Sequence, residues 1–140
     1  MTADDVEAVR AANERFYRAF ESLTLAEMED LWAHRSHVAC VHPGWPRLNG
    51  WPAVRESWAS IFRNTVEMRF TITDVGVAVR GDLAWVTCTE NILSETRGNL
   101  SVTAILATNI FERHGTEWLM VHHHASHVLA AAAPREPDAG

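Results

Sequence analysis

The hydrophobic period of this chain changes once, at Val66, and that change limits the folds open to it. Upstream, apolar residues recur at three- and four-residue steps, the spacing of one helix face. Downstream they alternate with polar residues, the spacing of a strand with a covered face. Helices first and long strands after is the order of an α+β fold. Such a fold gathers its helices on one face of an antiparallel sheet.

Val9, Ala12, Phe16, Ala19 and Leu23, with Phe20 beside them, predict an amphipathic helix of about five turns capped by Asp4 or Asp5. Thr24 and Glu27 form a T-x-x-E capping box. The box opens a shorter helix whose stripe is Leu25, Met28, Leu31 and Trp32. Residues 38–42 read as a short strand, broken by Pro43-Gly44-Trp45-Pro46. Pro52 starts a third helix with Val54, Trp58, Ile61 and Phe62 on one face. Met68, Phe70 and Ile72 then alternate with polar residues, and Gly76 marks a bulge. Arg80-Gly81-Asp82 is a tight turn, residues 83–93 a strand and residues 94–99 a polar loop. A strand over 100–113, a turn at His114-Gly115-Thr116 and a last strand from Trp118 complete an antiparallel meander. Long bulged strands curl, and helices laid in the hollow leave a conical pocket at the open end.

At 140 residues the chain is one domain, read here as residues 1–129 with a disordered tail over 130–140. The net charge of −6 disfavours nucleic acid and anionic lipid as partners. No apolar run reaches membrane-span length, and the start MTADDVEAVR is acidic and helical, unlike a signal peptide. Cys40 and Cys88 fit neither a zinc spacing nor a disulfide framework, so reduced thiols in the cytoplasm are expected.

Five motifs fall in a familiar order: LWAH at 31–34, VHPGW at 41–45, GW at 50–51, SWASIF at 57–62 and WLMVHHHAS at 118–126. Together they cover about residues 5–128. The chain thereby resembles the SnoaL-like branch of the nuclear transport factor 2 / ketosteroid isomerase superfamily. The resemblance implies a cone-shaped curved antiparallel sheet with three N-terminal helices packed in its concave face. It does not fix a function, because the superfamily hosts isomerases, cyclases, hydratases, ligand binders and dimerisation modules. The last strand also resembles the association domain of calcium/calmodulin-dependent kinase, which assembles rings. The groups of ketosteroid isomerase do not carry over. Its phenol falls near Phe16, with Tyr17 one residue away. Its aspartate base falls near Cys40, and its protonated aspartate near Thr108 or Asn109.

Candidate chemistry concentrates on the last strand. Alternation puts Trp118, Met120, His122, His124 and Ser126 on one face. Leu119, Val121, His123, Ala125 and His127 take the other, and a bulge would exchange the two sets. His122 and His124 are read as looking into the hollow, either as proton carriers or as hydrogen-bonded structural histidines. With His42 as third ligand they would instead form a divalent-metal site. Glu90 shares a face with Ala84, Val86 and Cys88. A carboxylate there is either desolvated and paired with His122 or His124 as an acid/base dyad, or salt-bridged to Arg69 or Arg97. His42 ends a strand beside a forced turn, where side chains line pockets or brace the turn.

Trp45, in the loop, is read as a ligand contact. Trp58 is either a second such contact or core. Asn109 alternates with Ala107 and Phe111, so it points inward to orient a carbonyl. Tyr17, the only tyrosine, either offers its hydroxyl to the pocket or sits at the solvent boundary. Cys40 is read as a packed thiol, a nucleophile only if a base stands beside it.

The expected function is binding of a small, partly apolar organic molecule, with isomerase- or hydratase-like acid/base chemistry. No cofactor is expected, since no nucleotide or flavin motif is present. Leu119 and Val121 on the second face of the last strand point to a homodimer. The alternatives are a non-catalytic dimerisation or accessory module with a vestigial pocket, and a histidine metal site.

Overall fold

The computed structural model describes residues 2–128, so the tail expected over 130–140 lies outside the described residues. Helix α1 spans Ala3–Ser22 and is capped by Thr2, whose hydroxyl accepts the Asp5 amide at 3.0 Å. The cap is thus Thr2 rather than either aspartate. Asp4 and Asp5 occupy the first turn, where the helix dipole favours negative charge. The buried face of α1 includes Asn13 and Tyr17 beside Val9, Phe16 and Phe20. It is wider than its apolar stripe.

Helix α2 is only Leu25–Glu29, and Thr24 makes no side-chain cap. The chain leaves it early because residues 31–33 join the sheet. The Met120 amide donates to the Leu31 carbonyl at 2.8 Å, and the Ala33 amide donates to the Met120 carbonyl at 3.0 Å. Strands β1 (Ala39–Val41) and β2 (Leu48–Asn49) precede α3 (Trp51–Arg63). Gly50 caps α3 at φ 86°, a conformation that favours glycine. The long strands are β3 (Glu67–Arg80), β4 (Leu83–Thr96), β5 (Asn99–His114) and β6 (Glu117–His127).

The six-stranded sheet has the order β2-β1-β6-β5-β4-β3 and is curved and unclosed. β3 to β6 form the antiparallel meander, while β1 joins β6 in parallel. That parallel pairing sets Cys40 opposite His123. The helices cover the inner face, with α1 against β3, β4 and β6, and α3 against β1 and β2. Between them pack Phe16, Phe20, Trp58, Phe62 and Phe70, their ring centroids 4.7 to 6.1 Å apart.

The outer face is different. Leu83, Trp85, Leu93, Leu100, Val102 and Leu106 all lie on it, 39% to 82% exposed.

Residues 94–99 are not a loop. β4 runs to Thr96, β5 starts at Asn99, and only Arg97 and Gly98 turn. Ser94 and Ser101 pair as readily as apolar residues, because the ladder is made by backbone. Arg97 and Gly98 have φ of 51° and 85°. Positive φ at both centres is what a type I′ turn needs, and asparagine tolerates it better than arginine. Arg97→Asn is therefore expected to raise stability by about 0.5–1 kcal/mol. The bond it removes, Arg97 to Asn64 at 3.3 Å, is exposed and contributes little. A urea midpoint that does not rise would count against this turn.

Candidate functional site

A bulge in β6 decides which histidine looks inward. Ile110 pairs with His122 and Phe111 with Met120, so Val121 has no opposite number on β5. One extra residue turns every later side chain to the other face. Trp118 and Met120 point in before the bulge, and His123 and Ala125 after it. His123 is buried at 1% exposure. His122 and His124 stand on the outer face, half-buried and exposed, with ring centroids 6.1 Å apart. The inward reading of His122 and His124 is corrected accordingly. Val121 is buried at the bulge, so it offers nothing to an outer interface.

Asn109 sits opposite His123 on β5 and is fully buried. Its Oδ1 lies 2.6 Å from His123 Nδ1. Its amide donates to Asn13 Oδ1 at 2.8 Å and to the Tyr17 hydroxyl oxygen at 3.1 Å. Tyr17 donates in turn to Glu90 Oε2 at 2.5 Å, and its hydroxyl also lies 3.4 Å from Cys88 Sγ. Tyr17 is thus at the centre of the fold, not at the solvent boundary.

Glu90 is 2% exposed, between Ile72 on β3 and Ile105 on β5. Burial pushes its carboxyl up to about 7, against the opposing pull of the Tyr17 hydrogen bond. Neither expected arginine reaches it. Arg69 pairs with Glu67 at 3.0 Å, and Arg97 bonds Asn64. The imidazoles that share a cavity with Glu90 are His42, His123 and His127, while His122 and His124 lie on the other side of the sheet, so a dyad with His122 or His124 does not form.

His42 follows β1 and is 3% exposed. The Ser57 hydroxyl donates its proton to the Val54 carbonyl at 2.6 Å, so His42 Nε2–H donates to Ser57 Oγ at 2.9 Å. Burial pushes His42 down to about 4 and also holds His123 well below the usual imidazole range. Both rings are neutral at pH 7. Cys40 lies 3.5 Å from His42 Nε2, but burial raises its thiol and it is a packed group.

A cavity of about 240 Å³ opens between the helices and the inner face. Glu90, His42, His123, His127, Ser94 and Thr103 supply its polar lining, and Phe20, Met68, Ile92 and Ile105 part of its apolar wall. Trp45 stands at the rim, 39% exposed, and meets His42 edge-on at 4.9 Å. Trp58 does not line this cavity. It is fully buried behind it, against Phe16, Phe20 and His42. Asn109 and Tyr17 reach the cavity only through His123 and Glu90. A larger open depression of about 700 Å³ lies on the outer face by His122 and His124. The buried titratable groups converge on the inner cavity, which is therefore the candidate site.

The sheet separates His42 from His122 and His124, so these three cannot meet on one ion. Among the described residues no group of three or more His, Cys, Asp or Glu side chains is placed to hold a metal. Asn13 and Ser57 were not foreseen, and His123 entered only through the alternative in which a bulge exchanges the two faces of the last strand. Asn13 had a signal, being a polar residue in step with Val9 and Phe16; the position of the bulge that turns His123 inward had none.

The SnoaL-like domain family matches residues 9–131. An NTF2-like protein from Streptomyces avermitilis, provisionally described as a dehydratase, is 45% identical. Its TM-score is 0.86 over 91% of this chain and 99% of that one. A structure from Thiobacillus denitrificans, provisionally described as a calcium/calmodulin-dependent protein kinase type II association domain, is 37% identical. Its TM-score is 0.75 over 85% of this chain and 94% of that one. A ketosteroid isomerase-like protein from Erwinia carotovora shares the fold at 18% identity and TM-score 0.77, covering 91% and 98% of the two chains. The F-box protein SKIP8 of Arabidopsis thaliana is 30% identical over 122 residues, 87% of this chain and 50% of that protein. The chain therefore spans about half the length of this curated relative.

Proposed function

This chain belongs to the SnoaL-like domain family, and from that premise we propose that its inner cavity binds a small, partly apolar organic molecule for cofactor-independent acid/base chemistry. The observation that carries this is Glu90. It is a buried carboxyl without a cationic partner, facing the same 240 Å³ cavity as two neutral imidazoles. A carboxyl held near 7 gives up a proton at neutral pH, and a neutral imidazole takes one. In a dehydration, His123 removes the proton beside a carbonyl. Protonated Glu90 gives its proton to the departing hydroxyl, which leaves as water. In an isomerisation the same pair moves a proton between two carbons. The provisional dehydratase description of the Streptomyces avermitilis protein supports this class.

The test is a thermal-shift screen with small neutral hydroxy- and oxo-aromatics. A ligand present at a hundred times its Kd should stabilise the protein by about 2.7 kcal/mol. Ile92→Trp, which fills the cavity, should abolish the shift. With a binding compound in hand, Glu90→Gln should keep binding and slow turnover by about 10²–10⁴-fold. A screen without hits, or hits indifferent to Ile92→Trp, would remove the reading.

A second reading, an assembly module, is favoured by the outer face. Leu93, Leu100, Val102 and Leu106 cluster on β4 and β5 at one end of it, a surface that a monomer would rarely leave bare, and Leu83 and Trp85 stand at the other end. The copies pair through this face, and Leu106→Arg should leave monomers in sedimentation. Wild-type protein already monomeric at tens of micromolar would disprove it. The association-domain likeness at 37% identity supports such a role. Among the described residues no helix is long and apolar enough to cross a membrane. The proposed setting is the cytoplasm, where the buried free thiols of Cys40 and Cys88 persist.

A further inference from the structure

We infer that Asn109, held by Asn13, is a positioning residue that locks His123 as the Nδ1–H tautomer, so the cavity accepts a neutral ligand that donates a proton to Nε2. This deepens the functional reading above and rests on it for the identity of the site.

The direction of the hydrogen bonds carries the inference. An asparagine amide has one accepting end and one donating end. Both Asn109 donor positions are taken, by Asn13 Oδ1 at 2.8 Å and the Tyr17 oxygen at 3.1 Å. The carbonyl is what remains for His123 Nδ1, at 2.6 Å. A ring nitrogen that meets a carbonyl at this distance must carry the proton. A buried neutral ring has only one, so Nε2 is bare. Among the described residues the His123 side chain is hydrogen-bonded through Nδ1 alone, and the ring lines the cavity.

The same amide also acts on the far side of the site. Tyr17 accepts from Asn109, so its own proton goes to Glu90 Oε2 at 2.5 Å. Asn13 is turned with its amide toward Cys88 and its carbonyl toward Asn109, which sets the chain running one way. The reversed chain would put a proton on Nε2 and make His123 a donor.

The ligand class follows. A hydroxyl, an N–H or an acidified C–H can meet Nε2. An anion cannot, because it would face a lone pair and a carboxyl, and no arginine lines the cavity. Neutral hydroxy or enolisable carbonyl compounds fit, while carboxylates and phosphates do not.

The test is long-range proton–nitrogen correlation NMR on histidine-labelled full-length protein at pH 7.5, with His123 assigned by its loss in His123→Gln. The wild type should show a protonated Nδ1 and a bare Nε2. Asn109→Leu should lose that preference. Asn109→Asp should keep Nδ1–H and raise the ring's titration midpoint, a response that a merely structural asparagine would not give. Phenol, as the ligand probe, should move the Nε2 resonance, and benzoate should not. A bare Nδ1 in the wild type overturns the inference whether or not the variants fold, and so does a benzoate response in place of phenol's. A reversed tautomer in protein that still binds small molecules leaves the functional reading standing. The expected tautomer with no binding in the thermal-shift screen sinks that reading and keeps the tautomer assignment.

Discussion

Trp58→Ala is expected to destabilise the protein by about 3–5 kcal/mol, the usual cost of emptying a buried tryptophan site. Trp58 is fully buried on α3, and its ring lies within 4.7 to 6.5 Å of Phe16, Phe20, His42, His123, Phe62 and Trp32. It is where α1, α3 and the site histidines meet. The loss is a large part of the roughly 5–15 kcal/mol that holds a domain folded. Its indole nitrogen has no hydrogen-bond partner among the described residues, so no polar contact offsets the void. Trp45→Ala is the control. Its ring is 39% exposed at the cavity rim, so stability should fall by under about 1 kcal/mol, while ligand binding weakens. Urea denaturation of both variants checks the pair, and near-equal midpoints would mean that Trp58 is not the keystone of the core.

The second large effect is on pH. His42 falls from 6.5 in the unfolded chain to about 4 in the fold. The unfolded state therefore binds more protons in that window, and stability is lost as pH falls from 6.5 towards 4. The loss is on the order of 3 kcal/mol, and His123, depressed for the same reason, adds to it. Glu90 runs the other way. Its carboxyl rises from 4.5 to about 7, so the folded state binds the extra proton. Its stability contribution is complete below 4.5 and lost as pH rises through 7, again on the order of 3 kcal/mol. Between 4.5 and 6.5 three depressed imidazoles, His42, His123 and the half-buried His122, outweigh one carboxyl. Above 6.5 Glu90 is the first group to change, and the buried Cys40, Cys88 and Tyr17 groups, all raised by burial, join it only toward pH 9 and above. Stability should therefore peak near pH 6.5. Asp5 and Glu112, both held below the ordinary carboxylate range by their partners, act only on the acid side of that window. Glu90→Gln should abolish the decline above the peak and leave the acid limb intact. Denaturation midpoints across pH 4–9 would show it. A flat wild-type curve, or a decline above pH 7 that survives Glu90→Gln, would mean that the pocket is wetter than its geometry implies.

The parity of β4 and β5 could be counted from the sequence. No bulge interrupts their pairing, so Ala84, Val86, Cys88 and Glu90 share the inner face with Ala107, Asn109 and Phe111. The bulge in β3 was marked by Gly76, and the shift falls between Thr73 and Gly76. The bulge in β6 was not marked, because Val121 is an ordinary strand residue. Counting by twos from Trp118 therefore chose His122 and His124. The short α2 failed similarly. Its capping box was real as a pattern, but Leu31 and Ala33 gained sheet hydrogen bonds to Met120 instead.

From the sequence alone came the order of the elements, the covered inner face, the hollow and the buried Glu90. All of these follow from periods that each segment carries within itself. The tertiary structure decided the rest. It selected His123 through the extra residue in β6, brought Cys40 and His42 beside it through the parallel pairing of β1, and buried Asn13 and Tyr17 against Asn109 and Glu90. Each of these depends on a partner far along the chain. A bulge forms where two strands fit better with one residue skipped, and only the neighbouring strand sets which residue that is.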